Sequence, residues 1–277
     1  MALRINTNIA ALNAHRQLSE TDNRLKITME RLSTGYRINR SRDDVAGLAI
    51  ANKFRMEVRA LRAAQQNVAQ AQSLLQVAEG GTQKIETIVE RLKELAISAA
   101  SSNVDDDGRA RINAEAAALL AEIDQIATDT KYSGNSLLSG AINLTFQVGS
   151  GNVAAEDRIS VSTSSGLLSN NLGLSTLNLS SIASAQSALT SLDAALVSVN
   201  LVVGEIGAAA SRIEFASGNL AMVIENLDAS HSTIRDADMA FEMTNLTRDQ
   251  ILLQAGTAML SQANLIPQSV LSLLGSR

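Results

Sequence analysis

Apolar residues recur by alternating steps of three and four from 182 to 227. The series runs Ile182, Ala185, Leu189, Leu192, Leu196, Val199, Val203, Ile206, Ala210, Ile213, Leu220, Ile224 and Leu227, with Ser217 as its one polar member. A 3.5-residue apolar period held this long predicts a helix with a sticky seam. At ~1.5 Å per residue it would be a rod roughly 70 Å long, which cannot bury that seam alone. A second stretch, 45–100, carries Leu61, Ala64, Val68, Ala71, Leu75, Ala78, Thr82, Ile85, Val89 and Leu92 in the same rhythm. Gly80 and Gly81 interrupt it and predict a local bend, since each costs about 1 kcal/mol relative to Ala in a helix.

The remaining patterns fall around these two rods. Helical spacing over 3–34 gives Ile5, Ile9 and Leu12, then Leu18, Leu25, Met29 and Leu32, two sets out of register with each other. Gly35 is placed to stop that helix. Ser41 and Asp44 read as a capping box for the 45–100 helix. A shorter helix is expected over 109–128, and Ser133-Gly134-Asn135 reads as a turn. The period then switches to two: Ile142, Leu144, Phe146 and Val148 alternate with polar residues, as do Ile159 and Val161, which predicts a β-hairpin. The stretch 162–181 is rich in Ser, Leu and Asn and shows no period. A break is expected at 229–232, followed by a last helix over 234–274 with Leu246, Leu253 and Leu260 seven apart.

The predicted fold is mainly α. The 45–100 and 182–227 rods pair antiparallel as an elongated helical bundle or coiled coil, 109–128 covers them, and a small β-hairpin sits between. The terminal helices are left side by side. Their doubled apolar faces exceed what a two-helix pair buries, which implies contacts with other copies.

Composition sharpens this picture. Aromatics make up 2%, Trp and Cys are absent, and Pro267 is the single proline. Narrow seams between helices need no aromatic bulk, whereas a globular core leans on it. The net charge is −5 with Lys and Arg scattered, so no basic stripe points to nucleic acid. No run of about 18 apolar residues suggests a membrane span. The first residues lack a long apolar stretch, so no cleavable secretory signal is expected.

Candidate chemistry is thin. His15 and His231 are the only histidines and lie far apart, so neither a metal site nor a nucleophile–base pair assembles. Asn103, Asp105, Asp107 and Gly108 begin like a calcium loop, but Ala114 stands where the bidentate Glu belongs. The Gly149–Ala154 run mimics a dinucleotide fingerprint but precedes a strand rather than a helix. No catalytic residue, cofactor or metal is expected, and the chain reads as no enzyme. The basic cluster Arg37, Arg40 and Arg42 is expected either to pair with acids of neighbouring copies, near Asp236 and Asp238, or to be solvated.

At Arg31-Leu-Ser-Thr-Gly35-Tyr-Arg-Ile-Asn39 and Asp43-Asp44-Val-Ala-Gly47-Leu-Ala-Ile-Ala51-Asn52 the sequence strongly resembles bacterial flagellin. The opening Met1-Ala-Leu-Arg-Ile5-Asn-Thr-Asn8 adds to the match, as do Tyr132-Ser-Gly-Asn135, Gln147-Val-Gly149 and the run from Gln262 to Leu274. The resemblance implies a subunit of the bacterial flagellar filament, exported through a type III channel without a cleaved signal and assembled outside the cell. Its inner layer (D0) would be 1–42 and 233–277; its outer layer (D1) would be 43–181 and 182–232. Large outer domains that many flagellins insert are replaced here by 162–181 alone, as in a minimal flagellin.

The same resemblance implies the partners: other copies of the chain, an export chaperone, the filament cap and hook-junction proteins. Self-assembly is expected to use Ile5, Ile9, Leu12, Leu18, Leu25, Leu32, Leu246, Leu253, Leu260, Ile266, Val270, Leu271 and Leu274. Arg91, Leu95 and Glu115 match positions by which many flagellins are sensed by Toll-like receptor five. A hook–filament junction protein, which shares the terminal patterns, is the alternative.

Overall fold

The computed structural model describes residues 8–275, with side chains described for 8–265. Ile5 and the side chains of Ile266, Val270, Leu271 and Leu274 lie outside the described residues. The chain divides into two compact units, one from Met1–Met56 with Asn226–Arg277 and one from Glu57–Glu225.

Helix α1 spans Ile9–Thr34, α2 Val45–Ala99, α3 Asp106–Asp129, α5 Ile182–Arg235 and α6 Met239–Gly275. Strands β1 (Lys131–Tyr132) and β2 (Asn135–Ser136) form a tight hairpin, and β3 (Asn143–Gln147) and β4 (Arg158–Ser162) a second, with the one-turn helix α4 (Ala154–Asp157) in its loop. In the first hairpin Ser133 and Gly134 both hold positive φ, 51° and 86°, which suits a two-residue turn between twisted strands.

In the Glu57–Glu225 unit, α2 and α5 run antiparallel. Lys93 near the end of α2 binds Asp193 near the start of α5 at 2.5 Å, while Leu61 and Leu220 line one groove. The α2 seam is buried as its rhythm predicts, and Thr82 fits there because its hydroxyl donates to the Ala78 carbonyl at 2.8 Å. On α5 the period holds but its phase is finer than expected. Ala188, Ala195, Val202 and Ala209 are buried, whereas Leu189, Leu196, Val203 and Ala210 are only half-buried. In the first two of these pairs the alanine faces inward and the leucine flanks it.

Helix α2 runs through Gly80 and Gly81 as one element, and the second glycine has a packing reason. A Cβ at Gly81 would lie 2.7 Å from both Leu138 Cδ1 and Thr130 Oγ1, while one at Gly80 would meet open space. The expected capping box with Ser41 is not formed. Asp44 is itself the N-cap, its Oδ1 accepting from Gly47 N at 2.8 Å and its carbonyl from Leu48 N.

The expected break at 229–232 is also absent, because α5 runs unbroken to Arg235 and the chain turns only at 236–238. The N-cap of α6 is Asp238, whose carboxylate accepts from Ala240 N and Phe241 N. The connection 163–181 is better packed than its composition suggests. It buries Leu167, Leu172, Leu174 and Leu179, and its backbone is held by side chains: Ser164 N donates to Glu205, Ser169 N to Asp124 and Leu179 N to Asn113.

By length and composition alone, α5 contains a window apolar enough to cross a membrane, with mean hydropathy 1.6, although it has no unbroken apolar run of that length. Serine, asparagine and glycine interspersed among its apolar residues hide it from a search for unbroken runs.

Candidate functional site

The Met1–Met56 and Asn226–Arg277 unit is built on α1 and α6 packed antiparallel. Asn8 caps α1 by accepting from Ala11 N at 3.1 Å, and its Nδ2 donates to the Ala263 carbonyl at 2.8 Å. Gly35 ends α1 in the left-handed conformation, φ 74°, with its N–H on the Arg31 carbonyl. The chain then pairs backbone to backbone, Arg37 N to Arg235 O at 2.7 Å and Ala237 N to Gly35 O at 2.9 Å. Over this bridge the Arg235 guanidinium stacks 4.3 Å from the Tyr36 ring.

The seam between the helices has a regular three-four rhythm once its polar members are included. On α1 it runs Ala11, Ala14, Leu18, Thr21, Leu25, Thr28 and Leu32; on α6 it runs Glu242, Leu246, Asp249, Leu253, Gly256, Leu260 and Ala263, all half-buried or buried. Arg31 Nη1 donates to Glu242 Oε1 at 2.9 Å, and Arg24 Nε reaches Asp249 Oδ1 at 3.4 Å. Glu242 and Asp249 are 4% and 6% exposed, so these carboxylates belong to the seam and not to its rim.

The sequence-predicted assembly residues therefore separate into two sets. Leu18, Leu25, Leu32, Leu246, Leu253 and Leu260 are half-buried in the seam, whereas Ile9 and Leu12 are exposed. With these two stand further outward apolar side chains: Met29 on α1, and Met239, Phe241, Met243, Ile251, Leu252, Met259 and Leu265 on α6. Sequence reading missed most of this outer set because it followed the leucine heptads, which mark the inner seam. The buried polar members Thr21, Thr28, Glu242 and Asp249 were missed for the complementary reason.

The other candidates settle as follows. Of the basic cluster, Arg37 donates to the Ile234 carbonyl, Arg40 pairs with Glu30 at 2.8 Å and Arg42 lies 3.7 Å from Asp43. All three are engaged within the chain. Asp105 is the N-cap of α3, accepting from Gly108 N. The Gly149–Gly151 loop is closed by Asp157, whose carboxylate accepts from Gly151 N and Val153 N. His15 is exposed and His231 half-buried. Among the described residues no cluster of metal-ligating side chains forms.

Arg91 and Glu115 meet across α2 and α3 at 3.0 Å, and Arg91 also binds Glu94 at 2.9 Å. These hydrogen bonds, that of Glu94 first, raise the Arg91 pKa further above its ordinary value. Leu95 does not share that surface. It is 6% exposed and belongs to the core, because the flank it occupies is covered within the unit. Elsewhere in the Glu57–Glu225 unit Phe215 stands 80% exposed beside a shallow groove shared with Glu57, the β3–β4 loop and Arg212.

Long helices packed along apolar seams, and terminal helices carrying apolar side chains outward, define a helical assembly protein. Comparison with known proteins makes the class specific. Residues 5–143 match the bacterial flagellin N-terminal helical region and residues 189–274 the bacterial flagellin C-terminal helical region. A 30.7 kDa flagellar filament core protein of Treponema maltophilum is 37% identical over 98% of this chain and 99% of its own. Flagellin of Bacillus subtilis is 37% identical over 98% of this chain and all of its own length. A solved structure described as a flagellar hook-associated protein from Vibrio parahaemolyticus has a TM-score of 0.57 over 70% of this chain and 100% of its own. At 14% identity it shares the fold alone.

The chain belongs to the bacterial flagellin family. It is a structural subunit that polymerises into the extracellular flagellar filament.

Proposed function

We propose that the outward apolar faces of α1 and α6 form the contact between copies, and that the α1–α6 seam holds those faces in place. The observation that carries this is the row of exposed apolar side chains on both terminal helices, from Ile9, Leu12 and Met29 to Phe241, Ile251 and Leu252. Leaving so much apolar surface in water is unfavourable by roughly 25 cal/mol per Å², and docking on a growing tip removes it. The free energy of that burial also supplies what ordering the terminal helices costs.

In this reading the chain leaves the cell through the flagellar type III channel without a cleaved signal. An export chaperone covers the apolar C-terminal helix beforehand, and the cap and hook-junction proteins meet the same terminal surfaces. Ile5, Ile266, Val270, Leu271 and Leu274, which lie outside the described side chains, belong to the same proposed set by their place in the sequence pattern. The test is deletion of 265–277. Loss of filaments by electron microscopy with helix content otherwise retained is expected; long filaments from the truncated chain would overturn the reading.

A narrower receptor contact is proposed at Arg91 and Glu115, with Leu95 supporting the surface from beneath. Pulldown of the monomer with the ectodomain of Toll-like receptor five tests it. Weaker capture of an Arg91→Ala, Glu115→Ala double variant is expected, and unchanged capture would exclude this site.

A further inference from the structure

We propose that Met29, Met239, Met243 and Met259 make the assembly surface sensitive to oxidation: a peroxide that converts them to sulfoxides stops a free subunit from joining the filament. The proposal rests on the reading that the outward faces of α1 and α6 are the contact between copies. Methionine is ordinarily a core residue that fills irregular gaps. Here all six methionines among the described side chains, Met29, Met56, Met222, Met239, Met243 and Met259, are at least 48% exposed. Leucine, of similar volume, does the opposite. The described leucines are buried or half-buried except for Leu12, Leu201, Leu252 and Leu265.

Four of the six methionines lie on the terminal helices. Met239 and Met243 are four residues apart and share one face at the start of α6, while Met259 lies two turns beyond Leu252 on the face of that leucine. Met29 stands two residues before Arg31, which reaches Glu242, so it belongs to the same end of the ordered helix pair as Met239 and Met243.

The chain has no cysteine and no tryptophan, which leaves the methionine sulfurs as its most readily oxidised groups. In the step the thioether sulfur attacks one oxygen of the peroxide. The O–O bond breaks and an S=O bond forms; with hydrogen peroxide, water leaves carrying both hydrogens. The sulfur loses two electrons and the peroxide gains them. The product is polar and chiral, with an oxygen that accepts hydrogen bonds. Water satisfies that oxygen on a free subunit. Against the apolar face of a neighbouring copy it has no donor, so burying it there opposes the contact. An outward methionine is open to peroxide whether or not the terminal helices are ordered, so no pairing before docking is required. In a copy already docked the same sulfurs are covered. Oxidant therefore halts growth and spares the filament already built.

The test treats full-length free subunits with dilute hydrogen peroxide, maps sulfoxides by peptide mass spectrometry and sediments polymer from monomer. Oxidation at the four positions is expected to raise the concentration at which filaments appear by about tenfold or more. Treatment with methionine sulfoxide reductases for both epimers is expected to restore the original threshold. The chain carrying Met29→Leu, Met239→Leu, Met243→Leu and Met259→Leu should assemble untreated within about twofold of the natural threshold. Peroxide should leave that threshold unchanged, although Met56 and Met222 still oxidise. A natural chain whose threshold survives complete oxidation overturns the proposal. So does a loss of assembly that the reductases do not reverse, or a leucine chain that peroxide still disables. The reductase arm uses the natural chain, so it decides the matter even where the leucine chain assembles poorly. Oxidising finished filaments separates the proposal from the reading beneath it. Oxidation of the four methionines as fast in filaments as in free subunits overturns the assembly surface itself. Slow oxidation there, with an unchanged threshold after oxidation of free subunits, overturns only the sensitivity to oxidant.

Discussion

Gly256 on α6 packs against Leu18 on α1, so closely that a methyl at its Cα requires the leucine to give slightly. An added methyl would stand 3.0 Å from Leu18 Cδ1. The neighbour is the far end of a flexible side chain, so a small intrusion is absorbed. Gly256→Ala is expected to be close to neutral, because removing a helical glycine gains about 1 kcal/mol against a modest clash. Gly256→Leu overpacks the seam and should destabilise the terminal pair by about 1–3 kcal/mol. Thermal unfolding together with limited proteolysis of α6 checks both, and a leucine variant as resistant as wild type would contradict this packing.

The two adjacent glycines of α2 provide an internal control. Gly80 faces open space, so Gly80→Ala should stabilise by up to about 1 kcal/mol. Gly81→Ala should destabilise, because its Cβ would stand 2.7 Å from Thr130 Oγ1 and that hydroxyl is already committed to the Ile126 carbonyl at 2.6 Å. Opposite shifts in midpoint temperature from neighbouring, chemically identical substitutions are the expected result.

Asp43 gives a pH dependence with a definite sign. Its carboxylate accepts from Arg40 N at 2.9 Å and Asn39 N at 3.2 Å. The Arg40 bond leads the causes that hold its pKa below the usual carboxylate value; partial desolvation opposes it, while the Asn39 bond and the charges of Arg42 and Arg31 assist. A lowered folded pKa means the contribution to stability is complete above the unfolded value of about 3.9 and is lost as pH falls through the folded one. Carboxyl NMR should show Asp43 titrating below the exposed aspartates, and Asp43→Asn should remove its share of the acid sensitivity.

Core and surface apolar residues should part company in assay. Leu92 is fully buried, so Leu92→Ala should cost about 2–5 kcal/mol of stability. Phe215 is 80% exposed, so Phe215→Ser should leave monomer stability within about 0.5 kcal/mol. If that face contacts another copy, the serine variant should raise the concentration at which filaments appear. Sedimentation of polymer from monomer measures this directly.

The residues that carried the fold in the sequence were those whose meaning is local. Gly35 ends α1 with positive φ, as a glycine after a helical run implies. The switch to alternation at 142–148 and 159–161 became β3 and β4, with Phe146 opposite Ile159 and Leu144 opposite Val161. Boundaries proved harder where the cue was chemical and not periodic. The polar run 229–232 is helix, and the stop falls at 236–238, where the backbone bridge from Gly35–Arg37 competes for the chain.

What the sequence determined by itself is the set of long helices, their 3.5-residue seams, the hairpin and membership of a filament-forming family, because periodicity and motif are properties of the chain alone. What only the tertiary structure decided is which residue at each seam faces inward. It chose Ala188 and Ala195 over the larger Leu189 and Leu196, moved Leu95 into the core, and placed Glu242 and Asp249 inside the terminal pair. Each depends on a partner distant in sequence: an alanine is innermost only where another helix comes close, and a carboxylate is buried only where an arginine meets it.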